Sequence, residues 1–146
     1  MALISLQEVS IGFGGHPLLE GVSFQIERGE RVGLLGRNGM GKSTLLKMLN
    51  DDFMPHDGVI ARQQNVRTAY LPQEVPQDLT GRVEDIIASG LIDSDFVDDE
   101  HHWKRDNQVQ KTIALMELDG DVRFDILSAG MKRRIILARG LVCNPD

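Results

Sequence analysis

The chain has 146 residues, 41% hydrophobic and 26% charged, with 16 basic against 22 acidic side chains and a net charge of −6. This is one domain's length in a soluble globular balance, and it excludes a uniformly basic nucleic-acid-binding surface while leaving room for a local basic patch. The one cysteine, Cys143, excludes an internal disulfide framework, no apolar run approaches the roughly 20 residues that cross a bilayer, and the start MALISLQEVS lacks a secretory pattern, so the chain is expected in the cytoplasm.

Residues 4–11 read as a strand, and Phe13-Gly14-Gly15-His16-Pro17 as a turn cluster. Val22, Phe24 and Ile26 alternate with Ser23 and Gln25, the pattern of a half-buried strand. Glu27-Arg28-Gly29-Glu30 reads as a hairpin-like connection into residues 31–35, an apolar run expected as a buried strand ending at Gly36. Residues 42–49 read as a helix with Leu45, Leu46 and Leu49 on one face. Asp57-Gly58 leads into a strand at Val59-Ile60-Ala61, and residues 67–71 read as a further strand ending at Pro72.

From about Thr80 the period becomes helical. Val83, Ile86 and Ile87 share a face, and Gly90 can close that helix. Residues 103–116 form a second helix, with Val109, Ile113 and Met116 aligned and Gly120 shortly beyond. Residues 128–142 form a third, with Ile135, Ala138 and Val142 aligned. Cys143, just past it, reads as a small buried apolar side chain. No internal repeat is visible. Strands come first, then a helical segment from about 78 to 126, then a helix pointing back to the sheet, which is an α/β chain.

Asp93, Asp95, Asp98, Asp99 and Glu100 form an acidic run. A calcium loop wants ligands at alternate positions and a glycine at the sixth, and Val97 and Asp98 stand where the third ligand and that glycine belong. The run therefore reads as a solvated linker. His101 and His102 are adjacent, so on a helix they face different directions and make a poor metal pair.

Gly36-Arg37-Asn38-Gly39-Met40-Gly41-Lys42-Ser43-Thr44 matches the phosphate-loop pattern G-x-x-x-x-G-K-[ST], with an apolar run before it and a helix after it. Gly36, Gly39 and Gly41 let the backbone around Asn38 curl so that successive N–H groups point at phosphate oxygens. The helix beginning near Gly41 adds the positive end of its dipole. Lys42 suits the β- and γ-phosphates, Ser43 offers a hydroxyl to Mg²⁺, and Thr44 can bond the α-phosphate. The competing reading is a glycine-rich turn with an incidental lysine. The pattern alone specifies a nucleoside triphosphate and no more.

Two further stretches narrow it. Leu127-Ser128-Ala129-Gly130-Met131 resembles the signature motif, L-S-G-G-Q, of ATP-binding-cassette (ABC) ATPases. Taken alone, Ser-Ala-Gly before a helix is an N-cap. Leu71-Pro72-Gln73-Glu74 is similar to that family's Q-loop. The resemblance covers the whole chain. It implies a P-loop NTPase cassette of α/β class, here partial, with an N-terminal β-subdomain, an incomplete parallel core sheet and a helical subdomain. The implied division is 1–77 as nucleotide-binding core, 78–126 as helical subdomain and 127–146 as signature segment and returning helix.

The resemblance also implies roles. Ser128 and Gly130 would meet the γ-phosphate of a nucleotide held by an opposite cassette. Gln73 would contact Mg²⁺ or the attacking water. Phe13 would stack on adenine, its alternative being a core residue. Ala129 stands where the family has glycine, which is tolerable at negative φ and costly otherwise. Met131 replaces the signature glutamine.

The opening Leu3-Ile4-Ser5-Leu6, the stretch Pro17-Leu18-Leu19-Glu20-Gly21-Val22-Ser23-Phe24, the spelling Gly36-Arg37-Asn38-Gly39 and the run Met131-Lys132-Arg133-Arg134 are similar to a first cassette of the ABC-F branch. Those proteins carry two cassettes, no membrane domain, and act on ribosomes or translation. Lys132, Arg133, Arg134 and Arg139 could touch ribosomal RNA or form a solvated helix face. The alternatives are the ATPase subunit of a transporter with a membrane permease, or a non-catalytic fragment. In the family, Asn-Pro-Asp precedes the Walker B strand, followed by the D-loop and H-loop. These are absent from the sequence, so the 146 residues alone are expected to bind ATP and Mg²⁺ but to hydrolyse negligibly.

Overall fold

The computed structural model describes residues 2–91 and 99–146. They divide into two units, one running to Tyr70 and including Asp146, the other spanning Leu71–Pro145.

In the first unit, β1 (Ala2–Phe13), β2 (His16–Glu27) and β3 (Asp57–Arg62) form an antiparallel sheet in the order β2-β1-β3. Phe13 pairs with His16 across Gly14 and Gly15, at φ 61° and 83°. A two-residue hairpin turn of this hand requires positive φ at both central positions, which is what the glycine pair supplies. The pairing slips between Leu6 and Val9, where Glu8 sits at φ 51°. This bulge shifts the strand's phase, so Leu6, Val9 and Ile11 are all buried although they do not alternate evenly. The Ser23 hydroxyl holds it, accepting from the Glu8 N–H (2.8 Å) and donating to Glu8 Oε1 (3.0 Å).

Helix α1 (Lys42–Leu49) adds Leu45 and Met48 to the core built by Leu3, Ile4, Leu6, Val9 and Ile11. Leu46, expected on its apolar face, is 44% exposed, and Met48 is buried in its stead.

Two strand expectations are overturned. Residues 31–35 and 67–71 join no ladder among the described residues, and Val32, Leu34 and Leu35 are exposed. A strand is a relation between segments, because its N–H and C=O groups need a neighbour, and apolar composition alone supplies none. Arg67 bonds instead to Asp146. Its N–H donates to Asp146 Oδ2 (3.1 Å), the Asp146 N–H donates to its carbonyl (3.0 Å), and the Arg28 guanidinium reaches Asp146 Oδ1 (2.5 Å).

The second unit contains α2 (Val83–Ala88), α3 (Asp99–Leu115), a 3-10 turn (Phe124–Ile126) and α4 (Ala129–Leu141). Their shared core includes Val83, Ile86, Ile87, Val109, Ile113, Ile135, Ala138 and Val142, on the faces the helical period marks out, and adds Phe124 from the 3-10 turn, which that period does not mark. Cys143 is buried as expected. Helix α2 ends through Ser89 in a right-handed conformation, and Gly90 is not at positive φ. The glycine serves closeness rather than capping, since a Cβ on Gly90 would collide with the carbonyl oxygen of Arg139 in α4. Helix α3 begins four residues before the expected start, at Asp99. It closes with Glu117 at φ 50°, whose N–H donates to Ala114, while the Leu118 N–H donates to Ile113. That is the paired closure usually given to glycine.

Asp93, Asp95 and Asp98 of the acidic run lie outside the described residues, as do the side chains of residues 99–102, including His101 and His102. Among the described residues no helix is long and apolar enough to cross a membrane.

Candidate functional site

The loop before α1 is shaped by glycines. Gly39 and Gly41 adopt φ 84° and 82°, a region that strains any residue with a Cβ, and Gly41 is the residue from which the helix starts. A methyl group on Gly41 would also lie 2.8 Å from Leu18 Cγ on β2. Sequence reasoning missed Leu18, because its neighbour is distant along the chain and no local pattern marks it. Gly36 and Asn38 lie on the exposed part of the loop, where the Met40 N–H donates to the Arg37 carbonyl (3.4 Å).

The N-terminus of α1 has no side-chain cap and no acidic residue in its first turn. The first N–H groups of a helix have no intrahelical acceptor, so this end carries open donors and the positive end of the dipole. Lys42 is the first helical residue. Its ammonium folds back to donate to the carbonyls of Gly36 (2.6 Å) and Arg37 (2.7 Å). The Ser43 side chain is exposed and Thr44 is half-buried. Curled backbone, open amides, one cation and two hydroxyls make a cradle for an anion of several oxygens. No group of three or more His, Cys, Asp or Glu able to hold a metal occurs among the described residues. The exposed Ser43 hydroxyl is an oxygen that a cation such as Mg²⁺, arriving with such an anion, could take as a ligand.

Phe13, at the end of β1, is 54% exposed, so the core reading fails for it. Its ring meets Phe53 (centroids 6.4 Å apart, planes at 87°) and His56 (6.3 Å, 68°) edge to face. No local sequence pattern marks Phe53 and His56 as its neighbours. An open cleft of about 580 Å³ in the same unit is lined by Ser10, Gly12, His16, His56 and Asp57 among others, and by no residue of the phosphate-loop pattern.

Gln73, Ser128 and Gly130 belong to the second unit. Gln73 is exposed in a stretch with neither helix nor strand. Ser128 caps α4, its Oγ accepting from the Met131 N–H (3.3 Å). Ala129 is helical and free of positive φ, so the methyl group is tolerated there. A Cβ on Gly130 would meet nothing within 4 Å. Lys132 donates to the Asp125 carbonyl (3.1 Å) with its ammonium 5.5 Å from the Phe124 ring centroid, and Arg134 donates to the Met116 carbonyl (2.6 Å). Arg133 is exposed. The basic run is thus partly spent on tying the unit's own turns. Beside it, a hydrogen bond from Arg123 is the main cause holding the Asp125 carboxyl below its ordinary value.

Comparison with known proteins adds the following. The ABC transporter family matches residues 19–146. ATP-binding protein Uup of Buchnera aphidicola is 37% identical over 146 residues, covering all of this chain and 24% of the relative. The high-affinity zinc uptake system ATP-binding protein ZnuC of Bacillus subtilis is 31% identical over 160 residues, covering all of this chain and 68% of its own length. The chain thus spans about a quarter of the length of the Uup relative. In fold, the ATP-binding subunit of an ABC transporter superposes with a TM-score of 0.75 at 23% identity, over 98% of this chain and 63% of that one.

Proposed function

This chain belongs to the ABC transporter family, with the partial P-loop cassette fold of its ATPases, and from that premise we propose that it binds Mg·ATP through residues 36–44. One observation carries the reading. The Lys42 ammonium is held against two loop carbonyls, over an uncapped helix end, with left-handed glycines on the approach. The open amides from Gly39 to Thr44 take the phosphate oxygens, while Gly36 and Asn38 shape the rim. Lys42 exchanges its carbonyl bonds for β- and γ-phosphate oxygens. Ser43 ligates Mg²⁺, Thr44 bonds the α-phosphate, and Phe13 offers its open ring to adenine. Bound Mg·ATP supplies the phosphoanhydride whose cleavage such a cassette catalyses.

The rest of the machinery is shared. Gln73 positions Mg²⁺ or the attacking water. Ser128 and Gly130 serve a nucleotide held by a second cassette. Ser128 Oγ already accepts from Met131 and still has its own proton to donate. Gly130 has open space where a side chain would stand, so its own unit does not demand glycine, and close approach from outside is the reason left. Residues 1–77 then act as the nucleotide-binding core, 78–126 as the helical subdomain and 127–146 as the signature segment. Hydrolysis belongs to the full-length protein, in the cytoplasm.

The similarity to Uup favours an ABC-F role, with a second cassette in the same protein and the ribosome as partner. The similarity to ZnuC over most of that protein's length favours the second reading, an ATP-binding subunit serving a membrane permease. Titration with a fluorescent ATP analogue tests the shared core of both, with micromolar binding expected and Lys42→Ala abolishing it. Co-sedimentation of the full-length protein with ribosomes in ATP separates the two. Pelleting supports the first reading, and its absence in every nucleotide state overturns it.

A further inference from the structure

Phe13 is a large ring left more than half exposed at a strand end, and the surrounding loop does not bury it. An exposed aromatic side chain normally samples several rotamers, and a ligand that stacks on it must first freeze it. Here two rings contact it and oppose that freedom. Phe53 crosses the Phe13 plane at 87° and His56 at 68°, both with centroids near 6.4 Å, within the range where edge-to-face pairs attract. No ring pairs with Phe13 in parallel among the described residues, so the stacking mode remains unused.

Phe53 and His56 come from the segment between α1 and β3, and that segment is tied back to β1. The His56 N–H donates to the Ser10 carbonyl (2.9 Å), three residues before Phe13. Phe53 is itself 41% exposed, so its contribution to the core is small.

We propose that Phe53 and His56 are positioning residues that hold the Phe13 ring ready to stack on the base of a bound nucleotide. The inference rests on the nucleotide reading above and deepens it, because it assigns base affinity, as distinct from phosphate affinity, to a side-chain cluster outside the loop.

The test compares Mg·ATP with Mg·tripolyphosphate, which has the phosphate chain and no base, each competing with a fluorescent ATP analogue on the full chain. Phe53→Ala is expected to weaken ATP about three- to tenfold, the range of one freed aromatic side chain, and to leave tripolyphosphate unchanged. Phe53→Tyr, which keeps the ring, is expected to restore the ATP value. Should Phe53→Ala fail to fold, His56→Ala is read in the same assay with the same expectation. An equal loss for both ligands would mean that the cluster merely supports the fold, and no loss for either would mean that it does not act; each overturns the proposal. Absence of any Lys42-dependent ATP binding in the unaltered chain would instead strike the nucleotide reading itself.

Discussion

Helices α1 and α4 each carry a glycine at or just inside their start and no acidic residue in the first turn, yet their first amides are treated differently. At α1 the chain enters through Gly41 in the left-handed region and no side chain caps the end. At α4 the chain enters extended, and Ser128 takes the Met131 amide. The first end keeps its donors for something external. The second has one of its first amides satisfied from within the chain, and retains one hydroxyl proton and a glycine with open space where a Cβ would stand. An uncapped helix N-terminus keeps all its first donors for a ligand, whereas a capped one has already spent one of them on its own side chain. On the proposed reading, this difference is what would separate a primary phosphate cradle at α1 from a surface at α4 that completes a partner's site.

The comparison can be broken at several points. The largest expected effect is Gly90→Ala. Its Cβ would meet the backbone oxygen of Arg139, which cannot swing aside, and α4 would have to move from α2. A loss of about 3 kcal/mol in unfolding free energy by urea titration is expected. Gly41→Ala should cost about 2 kcal/mol from left-handed strain plus the approach to Leu18, whose flexible side chain can give way. It should also weaken ATP binding, whereas Gly90→Ala should not do so beyond its effect on folding.

Ser128→Ala should cost about 1 kcal/mol, the ordinary loss of a cap, and leave ATP affinity at α1 unchanged. A fall in single-chain ATP affinity on Ser128→Ala would erase the distinction between the two helix ends.

The smallest effect concerns acid. Asp146 is held below its ordinary value chiefly by the Arg67 backbone N–H, with the Arg28 charge adding to it, and Asp125 chiefly by Arg123. A depressed carboxyl stabilises the fold fully above the ordinary carboxylate value of about 3.9 and loses that contribution as pH falls through the folded value. Melting temperature should therefore fall on acidification below about pH 4. Asp146→Asn and Asp125→Asn should each flatten that fall, and an unchanged pH profile in both variants would contradict the assignment.

What was legible in the sequence was what is local. The helical period placed Val83, Ile86, Ile87, Val109 and Ile113 on buried faces, and Ser128 announced a helix start that the structure places within one residue. What was not legible depends on partners. Residues 31–35 carry a strand's composition and join no ladder, because pairing is decided by another segment. Gly90 looks like a cap in the sequence, while the demand on it comes from Arg139, far along the chain. The bulge at Glu8 did leave a trace, since Leu6 and Val9 break the alternation. The phosphate-loop pattern was visible because its chemistry is built into consecutive residues, whereas the Phe13 cluster needs three separated ones.

The central claim is that backbone amides at the start of α1 receive phosphate. Amide chemical shifts recorded by NMR during titration with Mg·tripolyphosphate test it most directly. The account predicts saturable shifts concentrated at Gly39, Gly41, Lys42, Ser43 and Thr44, lost in Lys42→Ala. Shifts centred instead on Ala129 and Gly130, or none at all, would contradict it.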